Sequence, residues 1–410
     1  MTYRIIRPIQ AASAVAVTVL AALLPATGAA ARPSVLQVPS QYPTIQAAVN
    51  AAYAGDTVRV APGRYHEQVT ISKNLRLFGA GRKATTVVAP DPLKPNVGDA
   101  AALIGVTGGA KVEIANLGVS GPVAHPCAEQ PLHAGIFVAG GATLKLSRAR
   151  VSDIVNTPVE SCDHDGNGIL VGSFLTGDVG HAVIDHVEVT HYTGVALTAF
   201  SAGTTVTLTD SLLDAKIDPA TSVFTGGVEI GDAASAHVTR NVVIGNRCND
   251  FEDACGPDPS VQFQAAAFED GPGALPAADT EIAHNRFIGN DAGLYLFAFA
   301  DCCRVHDNVT RDSIFYGAIV QDGDTTLDHE KIVGGPVGVI AVADLADTTA
   351  TLKGVVIKGA ATPTKTQDCC GFTASIVRVP GSAPVSAGAH RARPPGQAGA
   401  HAVAVTRRAG

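Results

Sequence analysis

Short runs in which apolar and polar residues alternate recur along most of the chain. The most regular run carries glycine at its second position: "AGIFV" (134–138), "NGILV" (167–171), "TGVAL" (193–197), "GGVEI" (226–230), "AGLYL" (292–296), "YGAIV" (316–320) and "VGVIA" (337–341). "AAAFE" (265–269) fills the one missing place less well. A second run follows each, often with a polar residue near its middle, as in "VTLTDSLLD" (206–214), "AHVTRNVVIGN" (236–246) and "TEIAHNRFIGN" (280–290). Period-two alternation, β-branched residues and Gly/Asn punctuation predict strands. Steps between the glycines span 21 to 33 residues, apart from one of 66 across "AAAFE". No helical pattern links the strands, which excludes a Rossmann-like alternation. One unit of two or three short strands cannot bury its apolar face alone. Stacked coils can, because each strand then pairs with its equivalent above and below. The predicted fold is all-β, a single parallel β-helix solenoid of about ten or eleven coils.

The segment "VPSQYPTIQAAVNAAYAGDTVRVAPGRYHEQVTISKNLRLFGAG" (38–81) opens the domain differently. Ile45, Ala48, Val49, Ala52 and Tyr53 share one face of a short helix. Laid across the first coil, that helix would cover strand edges that otherwise invite aggregation. Asn116, Asn241, Asn285 and Asn308 recur in the second run and are expected to form an internal hydrogen-bond ladder. The repeats and this opening segment resemble the right-handed parallel β-helix proteins of the pectin-lyase-like superfamily, over roughly residues 35–360. The resemblance implies a right-handed coil. It is specific for fold and poor for function, because many chemistries and some non-enzymes share this architecture.

The ends of the chain read differently from the repeats. Arg4 and Arg7, the apolar stretch 9–25 and the small residues Ala29, Ala30 and Ala31 predict a secretory signal peptide over 1–31. The β-helix domain is expected over 32–380. Residues 381–410, rich in Ala, Gly and Pro, read as a disordered tail. A secreted, extracellular monomer with no membrane association after signal cleavage is expected. The formal net charge is −8, and the signal segment holds two arginines and no acid, so the remainder is more acidic still. That balance argues against nucleic acid as a partner. Eight cysteines with no CxxC spacing suggest disulfides rather than a thiolate metal site. Cys127 with Cys162 and Cys248 with Cys255 are positioned to bridge, and the vicinal pairs Cys302-Cys303 and Cys369-Cys370 to staple the C-terminal segment.

The corner before the glycine run swells at 122–133, 154–166, 216–225 and 247–264, and long loops on a rigid scaffold are where function concentrates. These loops hold His133, Glu160, Asp163, His164 and Asp165, the leading catalytic candidates. Two carboxylates and a histidine in "CDHDG" supply a base and an acid if their surroundings separate their pKa values. The same stretch reads as a calcium loop, with Asp163, Asp165 and Asn167 as oxygen ligands. Position 12 of that loop is Phe174 and no helix flanks it, so it is not an EF-hand. Ca2+ is the one cofactor this pattern suggests. The family resemblance offers a different constellation, loosely like successive pectin methylesterase motifs: Asp312 as nucleophile, Asp291 as acid/base, Gln264 on the oxyanion and Arg378 as a late arginine. Sugar-stacking rings are scarce: the chain has no Trp, and Phe137, Phe174, Tyr192, Tyr295 and Tyr316 are the candidates. The expected function is binding or processing of an extracellular polysaccharide through the acidic loops, by lyase or epimerase chemistry if catalytic. A non-catalytic surface-binding module is the alternative, and a carbohydrate esterase the third reading.

Overall fold

The computed structural model describes residues 33–123, 131–156, 165–173, 176–216, 225–248, 267–268, 279–297 and 303–379. Within the compact unit that starts at Pro33, they form the parallel β-helix that the pattern predicts. Each coil runs through three sheets in turn. Strands of the glycine runs build the first, of eleven strands, from Val69–Ile71 to Thr362–Asp368. The second sheet has thirteen strands, from Val35–Val38 to Ala374–Arg378. The third has eleven, from Gly63–His66 to Val356–Lys358. Every named strand pair is parallel, coil on coil. Ala267–Phe268 completes the coil that "AAAFE" fills, pairing Ala267 with Val228 and Phe268 with Tyr295. No helix among the described residues is long and apolar enough to cross a membrane.

Alternation sends one face of each strand inward, where Ile136, Leu144, Val151 and their equivalents form one continuous apolar stack. The glycine column exists because the first sheet meets the third there. A Cβ on Gly135 would fall 2.7 Å from Val151 Cγ1 and 2.9 Å from the Gly168 carbonyl oxygen. One assignment shifts: in the strand Val195–Ala199 the residue in that column is Ala196, since Ile169 pairs with Leu197. Gly194 lies two residues earlier, in the corner, where its Cβ position approaches Asn167 Oδ1 at 2.8 Å.

The helix Ile45–Ala51 is capped by Thr44 and packs Ile45, Ala48 and Val49 against the first coil, with Ala52 buried just beyond it. Tyr53 departs from the expected face: it lies past the helix end and is 79% exposed.

The corner between second and third sheets is two residues long in nine successive coils, 116–117 through 354–355. Its first residue adopts a left-handed conformation, as at Asn116, Arg148, His186 and Asp210 (φ 55, 49, 54 and 50°). Its second residue turns inward and is buried, as at Leu117, Ala149, Asn241 and Glu330. Three of the expected ladder asparagines occupy that inward slot. Asn285 Oδ1 accepts from the backbone N–H and Nδ2 of Asn241 (2.9 and 3.1 Å), and its own Nδ2 donates to Val238 O and Asn308 Oδ1. Asn308 passes the chain on to Glu330 Oε1 at 2.8 Å. Asn116 does not join the ladder, because it is the outward left-handed residue and Leu117 takes the inward slot. A second polar ladder runs inside the next corner, Tyr192 Oη to Asn246 Oδ1 (2.7 Å) and Asn246 Nδ2 to Asn290 Oδ1 (3.0 Å). Cys369 and Cys370 are joined to each other, so that pair does not tie the last strands to an earlier coil.

Candidate active site at the corner between third and first sheets

This corner varies from two residues, Thr193 and Gly194, to the 22 residues 245–266. Its inner lip is built by the ends of the third-sheet strands Arg150–Ile154 and Glu188–Tyr192, paired with Ser152 opposite Thr190 and Ile154 opposite Tyr192. That register sets Asp153 beside His191. Both take a left-handed backbone (φ 58 and 57°), which turns their side chains outward together. The coil before them places Gly121 in the same column, where a Cβ would collide with the Asp153 carbonyl oxygen. Non-glycine residues tolerate this backbone at a cost of about 1–3 kcal/mol. The charged column at the preceding corner adopts it too, so the conformation explains the shared direction and does not by itself mark a site.

His191 Nδ1 lies 2.9 Å from Asp153 Oδ1. The hydrogen bond from His191 holds the Asp153 carboxyl below the ordinary carboxylate value, against burial, with Ser152 and the Arg150 charge adding to the effect. Ser120 Oγ lies 3.4 Å from the other carboxylate oxygen. His191 Nε2 is buried and has no hydrogen-bond partner among the described residues. Ser152 and Thr190, which flank Val151 and Val189 and so face away from the core, are nonetheless only 4% and 1% exposed. The floor beside the pair is therefore screened from water. Arg150 sits at the same strand's start, with its Nε 3.5 Å from Glu188 Oε1.

Of the residues that the sequence singles out, Glu160, Asp163, His164 and Gln264 lie outside the described residues. His133 and Asp165 are at this corner, within the same two coils as Asp153 and His191. Gly166 N–H donates to Leu132 O, Thr193 N–H to Ile154 O, and Thr193 Oγ1 to Asp165 O. His133 Nε2 stands 3.9 Å from Asp165 Oδ1, and its Nδ1 accepts from Ala101 N–H at 3.1 Å. Asn167 holds the coils together: its Oδ1 accepts from Val195 N–H (3.0 Å) and Thr198 Oγ1 (3.4 Å), and its Nδ2 donates to His133 O (3.3 Å). Those bonds occupy the oxygen that a calcium loop would need from it, so the described donors do not form a calcium shell.

Asp291 is buried, and burial pushes its carboxyl up to about 6, while the Cys248 N–H (2.7 Å) and the Arg247 charge act to lower it. Asp312, one coil on, is exposed and points the other way: a Cβ on Gly334 in the following coil would fall 2.8 Å from its Oδ1. Arg378 is exposed on the last strand of the second sheet. The structure does not bring these three together. The aromatic candidates Phe137, Tyr192 and Tyr316 are buried in the wall, at 4%, 0% and 2% exposure. Tyr295 hydrogen-bonds Gln321 through its hydroxyl, and Phe174 lies outside the described residues.

Sequence reasoning missed Asp153 and His191. They stand 38 residues apart in different runs, and only the strand register unites them.

No protein-family profile matches the chain, and no curated protein matches it. Among solved structures, it is similar to the Agl-KA catalytic domain at 13% identity and a TM-score of 0.47, covering 80% of this chain and 64% of that one. This chain therefore spans a little under two thirds of that domain's length. The Dettilon tailspike protein is similar at 11% identity and a TM-score of 0.48, over 82% of this chain and 68% of that one. An alginate lyase from Paenibacillus sp. is similar at 14% identity and a TM-score of 0.38, over 86% and 99%.

Proposed function

We propose that the protein is an exported, carbohydrate-active β-helix that processes an extracellular polysaccharide at the corner between third and first sheets. In this reading His191 is the base and Asp153 its orienting carboxylate. The observation that carries it is the polarity of one imidazole: Nδ1 held by a carboxylate, Nε2 buried without a partner among the described residues. A carboxylate on Nδ1–H fixes the tautomer whose Nε2 lone pair takes a proton, and stabilises the imidazolium that results. The substrate class comes from the superfamily resemblance of the repeats. A groove that repeats coil by coil, about 4.8 Å at a time, also suits a linear polymer.

For a uronate polymer, His191 Nε2, once polymer binding uncovers it, would take the proton at C5, next to the sugar carboxylate. The electron pair left behind either expels the C4 oxygen, with cleavage, or recaptures a proton on the other face, with inversion. Arg150 supplies positive charge beside the pair, which favours the negative charge that develops. His133, with Asp165 near its Nε2, is a second proton carrier at the same corner. No step passes through calcium. Calorimetric titration of Ca2+ tests the remaining candidate ligands Asp163 and Asp165 separately.

A non-catalytic binding module is the second reading, and the buried aromatic rings favour it because they leave few stacking platforms. Incubating the full chain with polymannuronate and polygalacturonate separates the two. Ultraviolet absorbance reads unsaturated uronates, and proton NMR reads C5 inversion. Turnover that falls by about 10²- to 10⁴-fold in His191→Ala and Asp153→Asn, at unchanged melting temperature, supports the active site. Turnover indifferent to both substitutions overturns it, and polymer binding without turnover favours the module.

A further inference from the structure

The corner between second and third sheets holds chemistry that the proposed function does not use. Two groups there bring three metal-ligating atoms within 4.8 Å of one another: His284, His306 and Asp307, and Asp185, His186 and Asp210. They are not equivalent. Asp210 gives both carboxylate oxygens to Arg240, at 3.0 Å from Nε and 2.8 Å from Nη2. A cation there would have to displace a bidentate guanidinium.

The other group is arranged around one ring. His306 Nδ1 lies 2.9 Å from Asp307 Oδ2, while its Nε2 lies 3.2 Å from Glu281 Oε1. The His284 ring stands edge-on to it, with centroids 5.5 Å apart and planes at 85°. Backbone geometry sets this up. His284 and Asp307 are the left-handed corner residues of successive coils (φ 59 and 56°), and the His284 N–H donates to His306 O at 3.2 Å. His306 therefore has one nitrogen facing Asp307 and the other held by a carboxylate behind. A metal-bound histidine is built the same way, one nitrogen on the ion and the opposite N–H fixed by an acidic residue.

We propose that His284, His306 and Asp307 form a site for a divalent transition metal of the zinc type, with Glu281 orienting His306 from behind. Two imidazoles and one carboxylate select Zn2+ or its borderline neighbours over Ca2+ and Mg2+, which take oxygen shells. Three protein ligands leave a tetrahedral ion one open position. The ion would link two successive coils on their outer edge. Nearby charges leave the ligand atoms to it: Glu281 is the group that meets Arg304 (3.0 Å) and His237 (3.4 Å), and Asp328, in register with His306, is engaged by His329 and Lys353. Thiols do not compete among the described residues, since Cys248, Cys303, Cys369 and Cys370 are all in disulfides.

Calorimetric titration of zinc chloride into the full chain tests this. One ion per chain is expected, with affinity lowered by at least about 100-fold in His284→Ala and His306→Ala and by about 10- to 100-fold in Glu281→Gln. His186→Ala, in the group closed by Arg240, should leave the titration unchanged. His284 is exposed, so its removal reads the site without disturbing the core. No zinc binding to the unaltered chain overturns the proposal, as does binding that survives both His284→Ala and His306→Ala.

Discussion

Two corners of the same coil use the same backbone step and put it to different ends. Between second and third sheets the turn is two residues in nine coils, so one residue always points out and the next always points in. Constant length lets side chains stack on their equivalents, and the inward slot becomes a hydrogen-bonded ladder from Ser211 through Asn241, Asn285 and Asn308 to Glu330. Between third and first sheets the left-handed residue recurs at Asp153, His191 and Asp312, but the linker after it varies from two to 22 residues. No ladder can run the length of that corner. Its polar residues meet over a few coils at a time instead, as in Tyr192, Asn246 and Asn290, and one pair, Asp153 with His191, keeps a ring nitrogen without a partner among the described residues. Repetition satisfies the polar groups along the ladder up to its last member, and interruption of the repeat leaves others outside any long chain of bonds.

The ladder should therefore break more severely than the active-site corner. Asn285→Ala removes the acceptor of two Asn241 donors and the donor to Asn308 Oδ1 and Val238 O, all inside the core. Leaving such groups unpaired costs about 1–3 kcal/mol each before relaxation, so a loss on the order of 3–5 kcal/mol is expected in urea unfolding. His191→Ala should leave that unfolding curve in place while removing activity. A stable Asn285→Ala protein would show that the ladder is decoration.

A smaller effect separates the ladder's end from its middle. Glu330 is buried with Oε2 unpartnered, and burial pushes its carboxyl from 4.5 up to about 7, with Asn308 acting to lower it. The folded chain then keeps a proton that the unfolded chain has released. Stability from this group is present below about pH 4.5 and is lost as pH rises to about 7, by at most about 1.4 kcal/mol per pH unit. Glu330→Gln retains the acceptor for Asn308 and cannot ionise. The variant should melt higher than the parent at pH 8 and close to it at pH 5. Parallel melting curves across that range would mean that Glu330 is already ionised in the fold.

Much of this architecture is legible in the sequence, because a repeat advertises itself many times over. The strands, the parallel stacking and the capping helix follow from alternation and from the Ile45, Ala48, Val49 face. The ladder is legible too, with a rule that assigns its members: the inward slot lies three residues after the last inward apolar residue. Counting from Leu208, Val238, Ile282, Val305 and Leu327 gives Ser211, Asn241, Asn285, Asn308 and Glu330, all buried. The same count from Ile114 gives Leu117, and so removes Asn116. Gly194 misleads for a related reason, since a corner glycine and a wall glycine look alike until register is fixed. The candidate site is far less legible. His133 and Asp165 stand out inside a swollen loop, whereas Asp153 and His191 are single polar residues at the ends of separate strands. Their meeting depends on a 38-residue coil step and on two left-handed backbones that no local pattern announces.

The outward column beside the ladder should give the smallest response of all. Arg240 and Asp210 form a bidentate pair on adjacent coils, at the same corner as the ladder but on its solvent side. Asp210 is held below the ordinary carboxylate value by that hydrogen bond. Arg240 is exposed, and water screens the pair, so exposed ion pairs of this kind contribute little to stability. Arg240→Ala should leave the melting temperature within about two degrees of the parent. It should also free the Asp210 carboxylate in the Asp185, His186, Asp210 group. If an occupied carboxylate is what distinguishes the two groups, zinc titration of Arg240→Ala should gain a second, weaker event that the parent lacks. A titration identical to the parent would mean that the difference lies in the orienting Glu281 behind His306, which the other group has no counterpart for among the described residues.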